Sequence, residues 1–479
     1  MLRRTALASL GLASLGLASV AAPALGAEGT EIASSFDEDD PFDLFVTVRY
    51  EFQARHASIK REFAGLMGSM VDGPVPVVKD LRYKQTRHLL TPRLEVGAFR
   101  DLQLHAELPI VLADGREYGW DQTADPCIFA NDPQGRMPTC IDIRNSSTVG
   151  IDGFRLLPDG TMGGGMGYDA GDPMANFDPV NSKTVFRGVN RKGLDTINFG
   201  LTWAPVNQEK DDTKPTWVIG AEFRLSIGQI MKFNRFMPGT EDGVSEGVHW
   251  FRASTGLSKR TTWAEPYVFF WWQAPIGVRG DTPEDPEGSL FWDVGFGQEN
   301  KTPQQQAGTV FGFEAIPWEN KRQKQKIALQ LQGRVEAHFE GRGYSEAWEL
   351  FAYAGDRIDN PGGPLLLDSD PVAAGAQLMS HPGVTDIENY LTWGGRMGVR
   401  GQVGERAKFD ASFEISGDQQ HRISWTDAGR EGADADDVIT PGTAEVNPLH
   451  RQIIDVVGRR YIAGGSAVFT FLVGGTLLF

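Results

Sequence analysis

Ile327-Ala-Leu-Gln-Leu-Gln-Gly-Arg-Val-Glu-Ala-His-Phe339 reads with a period of two. Ile327, Leu329, Leu331, Val335 and Phe339 share one side with Gly333 and Ala337, and Gln330, Gln332, Arg334, Glu336 and His338 share the other with Ala328. A helix would scatter those charges around its circumference, whereas a strand collects them on one face. A strand that is apolar on one face and ionic on the other is built to stand between hydrocarbon and water.

The same alternation recurs along the chain. Leu44, Val46, Val48, Tyr50 and Phe52 interleave with Thr47, Arg49, Glu51 and Gln53, and Leu102, Leu104, Ala106, Leu108 and Ile110 with Gln103, His105 and Glu107. Candidate strands fall near 44–54, 81–98, 102–112, 194–204, 215–227, 248–258, 263–274, 308–316, 326–340, 388–402, 406–417 and 460–479. The expectation is an all-β, transmembrane antiparallel up-and-down β-barrel of about twelve strands, with fourteen the alternative count, and bacterial barrels keep an even number.

The connections alternate in length. Phe99-Arg-Asp101, 205–214, Leu257-Ser-Lys-Arg-Thr-Thr262, 317–325 and Val403-Gly-Glu-Arg406 are short, and each is followed by a long stretch: 113–193, 228–247, 275–307, 341–387 and 418–459. Short periplasmic turns and long outer loops produce this parity, and a soluble sandwich has no reason to keep it. Phe99, Trp203, Trp217, Trp263, Trp318 and Phe409 sit by the short turns, and Trp250, Trp271, Trp272, Phe339, Tyr390 and Trp393 lie towards the long loops. Two such bands are expected at the two membrane interfaces. The bland alternative is the aromatic core of a soluble β protein.

The chain ends with Phe469, Phe471, Val473, Gly475, Leu477 and Phe479 on one face. Phe471, Val473, Leu477 and Phe479 resemble the C-terminal insertion signal of outer-membrane barrels, which the barrel-assembly machinery reads; Gly475 departs from that pattern. At the other end, Met1-Leu-Arg-Arg4, an apolar run from Ala6 to Val20 and Ala24-Leu-Gly26 form a signal peptide over residues 1–26. Residues 27–43 are expected to be an acidic periplasmic N-terminal tail, resting disordered or partly entering the lumen. Residues 44–479 are the barrel with its loops.

The formal net charge is −17, and more negative once Arg3 and Arg4 are removed. So acidic a chain is a poor partner for nucleic acid. No stretch offers the roughly eighteen apolar residues of a membrane-crossing helix. The 57 glycines favour turns and small wall positions over a helical core. Cys127 and Cys140 lie in one polar stretch of an exported chain, so a disulfide is expected, with two independent thiols the alternative. No His or second Cys pair stands at zinc-ligand spacing, and no cofactor or metal is expected.

Charged residues at inward positions fall two apart: Arg49 and Glu51, Arg93 and Glu95, Glu222 and Arg224, Arg334 and Glu336. His105, Glu107, Arg252, Glu265, His338, Arg396, Arg400, Asp410 and Glu414 join them. Lipid would penalise each by several kcal/mol, so they must line a polar lumen. That lumen is either a selective path or a salt-bridge web that braces the barrel. The acidic clusters Asp281/Glu284/Asp285/Glu287, Asp356/Asp359/Asp368/Asp370 and Asp434/Asp436/Asp437 read as solvated outer loops, with divalent cations at the lipopolysaccharide surface the alternative. Gly163-Gly-Gly-Met-Gly167 lacks the Lys-Ser/Thr of a phosphate loop. His249 with Ser245 or Ser254 is the best hydrolytic set available, and a surface histidine is the plainer reading, so no enzyme is expected.

Arg93-Leu-Glu-Val-Gly-Ala-Phe-Arg-Asp-Leu-Gln-Leu-His-Ala-Glu-Leu-Pro109 resembles the amphipathic hairpin ending in Leu-Pro of the outer-membrane transporter-like family named for the meta-pathway of phenol degradation. The hairpin from Leu194–Trp203 to Trp217–Leu225 is similar to it in style. The resemblance implies passive uptake of a small solute, hydrophobic or aromatic, through a charged lumen. The N-terminus has no Asn-Pro-Ala motif and is short for the plug of the fatty-acid channels. The expected partners are outer-membrane lipid and lipopolysaccharide, the assembly machinery and the solute. The other reading is a non-transporting surface barrel that binds a partner or stiffens the envelope.

Overall fold

The computed structural model describes residues 27–35, 43–62, 77–128, 133–136, 138–141, 168–172, 184–234, 237–279, 302–355, 367–368, 378–379, 383–424 and 460–479. The signal peptide, the Gly163–Gly167 run and all the acidic loop residues named above except Asp368 lie outside them. The spanning strands are β1 Leu44–Glu62, β2 Val77–Phe99, β3 Leu102–Glu107 continued by Ile110–Trp120, β4 Thr196–Val206, β5 Thr216–Ser226 and β6 Val248–Ser258. They continue with β7 Ala264–Val278, β8 Gln306–Asn320, β9 Gln325–His338, β10 Tyr390–Val403, β11 Ala407–Asp418 and β12 Tyr461–Leu478. Each pairs antiparallel with its neighbours in the chain. β12 returns to β1, from Phe45 opposite Leu478 to Arg61 opposite Tyr461, which closes the barrel.

Period-two patterning drives this closure. Leu94, Leu104, Phe199, Phe223, Phe311, Leu329, Leu331, Val399, Phe413 and Phe471 are exposed on the outer wall, while Gln103, Glu107, Arg224, Gln330, Gln332, Glu336 and Arg396, on the opposite face, are buried. In water that outer wall would be one continuous apolar patch, far larger than soluble surfaces carry. Surrounded by hydrocarbon, it is satisfied, and the closed hydrogen-bond ladder leaves no strand edge in lipid. The chain is therefore an outer-membrane β-barrel. Among the described residues, no helix is long and apolar enough to cross a membrane. Phe99, Trp203, Trp217, Trp263, Trp318 and Phe409 are all exposed at the short-turn end, as the aromatic band expected there requires. Phe471, Val473, Leu477 and Phe479 also face outward.

Two features differ from the sequence reading. β1 and β3 run well beyond the expected ends, β2 starts slightly earlier than expected, and the long connection 113–193 begins as strand as far as Trp120. At about 3.3 Å per residue, β2 is roughly 75 Å long, far more than a bilayer needs. The outward residues of that upper part are polar, with Arg82, Lys84 and His56 exposed, so these strands rise into water as a collar. The second difference concerns the outer aromatic band. Trp250, Trp271 and Tyr390 are buried on the inner face, and only Trp272 and Phe339 of the expected set are strongly exposed. Strand parity explains this: Phe269 and Trp271 share a face opposite to that of Phe270 and Trp272.

The collar is filled rather than open. A helix, α1, Trp348–Gly355, from the β9–β10 connection packs there. Trp348 and Phe351 are fully buried with Tyr83, Tyr118, Phe186, Tyr353 and Tyr461. Cys127 and Cys140 form a disulfide with Cα atoms 5.3 Å apart. Cys140 adds a bridge beside Lys79, which ties that connection to β2.

Candidate functional site

Alternation places the predicted ionic residues on the inner wall, and hairpin register brings them to common levels. Arg49, Glu51, His105, Glu107, Arg224, Arg252, Glu336, His338, Arg396 and Arg400 are buried. The side chains of Arg93, Glu95, Glu222 and Arg334 are 10–17% exposed.

On the β2–β5 wall, Arg93 bridges Glu95 at 2.9 Å and Glu107 at 3.2 Å. Glu222 accepts from Arg224 at 2.5 Å and meets His105 Nε2 at 3.0 Å. On the β8–β11 wall, Arg334 bonds Glu414 at 3.0 Å and lies 3.6 Å from Glu336. Arg396 bonds Glu414 at 2.9 Å and Arg400 bonds Glu314 at 2.5 Å, while Arg49 is 3.9 Å from Asp410. His338 departs from the ionic pattern. It stacks on Tyr390 with centroids 4.3 Å apart, and His421 stacks on the other side of Tyr390 at 4.1 Å.

Each end of this charged zone meets inserted chain. At the periplasmic mouth the segment Ala27–Thr30 and the residues to Ser35 lie against the inner wall of the barrel. Thr30 Oγ1 bonds Ser258 Oγ at 2.7 Å, and Gln103 Oε1 accepts from Ala33 N at 2.8 Å. Ser35 Oγ donates to Gly97 O at 2.6 Å, and Ser34 Oγ accepts from Asp101 N at 3.1 Å. The charged anchor is Glu31, paired with Lys408 and, at 3.5 Å, with Arg400. Burial pushes the Glu31 carboxyl up, and Lys408 and Arg400 more than offset this, holding it down to about 2. Gly97 permits the close approach, because a Cβ there would lie 2.2 Å from Ser34 O.

At the outer end α1 is held by two glutamates. Glu346 bonds Arg55 at 2.5 Å, and Glu349, which is fully buried, takes Arg191 Nη2 at 2.9 Å and Val189 N at 3.2 Å. Arg191 lies over the Trp348 ring at 4.8 Å.

Between the two insertions lies a cavity of about 90 Å³. Its lining includes Arg49, Arg93, Glu95, His105, Glu222, Arg252 and Lys408, with Glu31 contributed by the N-terminal segment. One side is apolar, made by Phe45, Val218 and Phe269. Val218 and Phe269 belong to a lumenal stripe with Tyr267, Trp271 and Val310, on which Ile32 packs. The sequence reading missed this stripe. The signal was the inward parity of Tyr267, Phe269 and Trp271, obscured by the continuous aromatic run through Trp272. The best hydrolytic candidates the sequence offered are engaged elsewhere: His249 Nδ1 accepts from Ser226 N at 3.1 Å, and Ser245 Oγ bonds Ser226 Oγ at 2.7 Å.

No protein-family model and no curated protein sequence matches this chain. Several solved structures are similar in overall shape. An outer membrane channel from Pseudomonas putida F1 is 7% identical, with a TM-score of 0.35, over 92% of this chain and 96% of that one. The outer membrane protease OmpT from Escherichia coli is 6% identical, with a TM-score of 0.27, over 94% and 100%. A FadL homologue from Pseudomonas aeruginosa is 9% identical, with a TM-score of 0.29, over 91% and 90%. Likenesses this remote, to a protease as well as to channels, carry no argument about what this barrel does.

Proposed function

We propose that this barrel is a gated channel for small solutes, in which the N-terminal segment closes the periplasmic mouth and α1 closes the outer one. The carrying observation is how the lumen is obstructed. Eight strands make a barrel that its own side chains fill, and a wider one has room left over. Here that room is occupied by two pieces of chain, one of them a short segment held by side-chain hydrogen bonds and the Glu31 pairs. Displacing it would join the charged cavity to the periplasm without breaking the barrel ladder. The apolar stripe opposite the charges suits a solute with an apolar body, in line with the expectation of a hydrophobic or aromatic cargo.

The test is salt conductance and solute flux of the reconstituted protein in planar bilayers and liposomes. Measurable conductance that rises when residues 27–35 are deleted supports the reading. A folded barrel that stays silent with and without them overturns it. The alternative role as a bracing or partner-binding barrel draws on the ionic web and the aromatic collar. It predicts that removing residues 122–183 abolishes partner binding and leaves permeability unchanged.

A further inference from the structure

The cations of the cavity differ in one respect. Arg93 is paired with Glu95 and Glu107, Lys408 with Glu31, and Arg49 lies 3.9 Å from Asp410. Arg252, only 4% exposed, forms no ion pair among the described residues, and its Nη1 has no hydrogen-bond partner. Its cross-strand neighbour on β5 is Glu222, the natural counter-ion. Both oxygens of that carboxylate are already committed, to Arg224 and to His105.

The neighbour on the other side is equally unusual. Arg252 stands opposite Gln273 on β7. Gln273 is fully buried, and neither its Nε2 nor its Oε1 has a partner among the described residues. Buried polar groups are nearly always hydrogen-bonded, and a buried charge left alone is more costly still. Two such groups side by side on adjacent strands, one of them lining a cavity, mark a place where a polar ligand group belongs.

The surroundings indicate the rest of that ligand. The Arg252 guanidinium lies over the Trp271 ring at 4.4 Å. Trp271 lies flat because Gly308 sits beneath it, where a Cβ would come within 2.6 Å of the indole. Phe269 and Val218 continue the apolar wall into the cavity. One water needs about 10–15 Å³ on this scale, so about 90 Å³ admits a group of several heavy atoms.

We propose that Arg252 and Gln273 are the recognition point for the carboxylate of a small organic acid with an aromatic or similarly flat apolar body. The carboxylate takes the Arg252 guanidinium where it borders the cavity, and Gln273, beside it on β7, turns its amide toward the second oxygen. The body lies against the Phe269–Trp271 wall. This deepens the channel reading and rests on it, since it names the class of solute that reaches the same cavity.

The test is calorimetric titration of the full-length, folded barrel with benzoate, and with benzyl alcohol as the uncharged analogue of similar size. Wild type is expected to bind benzoate at least about tenfold more tightly. Arg252→Gln, which relieves an unpaired charge and should not impair folding, is expected to weaken benzoate about 10- to 150-fold, the range for a charged hydrogen bond. It should leave benzyl alcohol unchanged. Gln273→Leu, which keeps the charge, should weaken benzoate about tenfold, the low end for a hydrogen bond to a charged group. Equal affinity for the two ligands, an unaltered benzoate affinity in Arg252→Gln, or no saturable benzoate binding would each overturn the inference. Salt conductance of the same preparations separates the two levels. A conducting barrel indifferent to benzoate defeats this inference alone, whereas a silent one defeats the channel reading.

Discussion

Replacing Glu31 by Gln removes the charged anchor of the N-terminal segment and leaves the barrel wall intact. Glu31 bonds Lys408 and lies 3.5 Å from Arg400 Nη2, while Arg400 keeps its second partner, Glu314. A hydrogen bond to a charged group contributes about 1.5–3 kcal/mol, against about 0.5–1.5 kcal/mol for each neutral bond that remains at Thr30, Ala33 and Ser35. Loss of the charged anchor should therefore shift the docked-to-undocked ratio by roughly 10- to 150-fold. The assay is the open probability of single channels in planar bilayers at neutral pH. Acid should mimic the substitution. The carboxyl sits at about 2 rather than its ordinary 4.5, so its contribution to docking is complete above about 4.5 and is lost as pH falls towards 2. Wild type should thus open progressively below about pH 4, and Glu31→Gln should already be open and insensitive over that window. A correctly folded Glu31→Gln barrel with wild-type open probability would refute the reasoning.

Other perturbations probe separate parts of the account. Gly97→Ala should open the same mouth by sterics alone, because the added Cβ meets Ser34 O; unchanged conductance would show that the segment does not close it. Glu349→Ala leaves the buried Arg191 charge, among the described residues, with only backbone carbonyls for hydrogen-bond partners and should cost about 3–5 kcal/mol. Faster amide exchange confined to Trp348–Gly355 and its neighbours would register that loss, and an unaffected α1 would contradict it. Glu246, in the outer connection before β6, has its carboxyl pushed up to about 8 by burial, with Asp195 adding to the effect. The folded state thus holds a proton that the unfolded chain releases near 4.5, and stability from this group declines as pH rises between those values. Glu246→Gln should flatten the fall in Tm from pH 6 to pH 9, and parallel curves would exclude the assignment. Reducing Cys127–Cys140 should loosen its own connection by about 3 kcal/mol, seen as new protease cuts near 121–141 with the barrel otherwise protected.

What the sequence revealed follows from where one physical rule dominates. Between lipid and a polar lumen, parity alone distinguishes the faces, so segments such as Ile327–Phe339 could be read directly, as could the short turns and the aromatic band beside them. Above the membrane both faces carry polar residues, and the rule loses its contrast: His56 points to water while Arg55 and Ala57 are buried, so β1 beyond 54 and β3 beyond 112 read as loop. Runs apolar at every position are ambiguous in the same way, which placed Trp271 on the lipid side when it lines the lumen. Glu31, Glu346 and Glu349 were unreadable as anchors, because each is defined by an arginine or lysine remote in sequence. The inward charges were legible as a set, but which of them lacks a partner depends on side-chain geometry, and Arg252 emerges only there.

The claim beneath all of this is that hydrocarbon surrounds the outer wall and the ionic side chains are enclosed. Nitroxide labels placed singly at Leu329, Gln330, Leu331 and Gln332 of β9 in the reconstituted protein test it directly. The account predicts strong relaxation by dissolved oxygen and weak relaxation by a water-soluble nickel chelate at 329 and 331, with low accessibility to both at 330 and 332. Equal exposure of all four positions to the nickel chelate would contradict it.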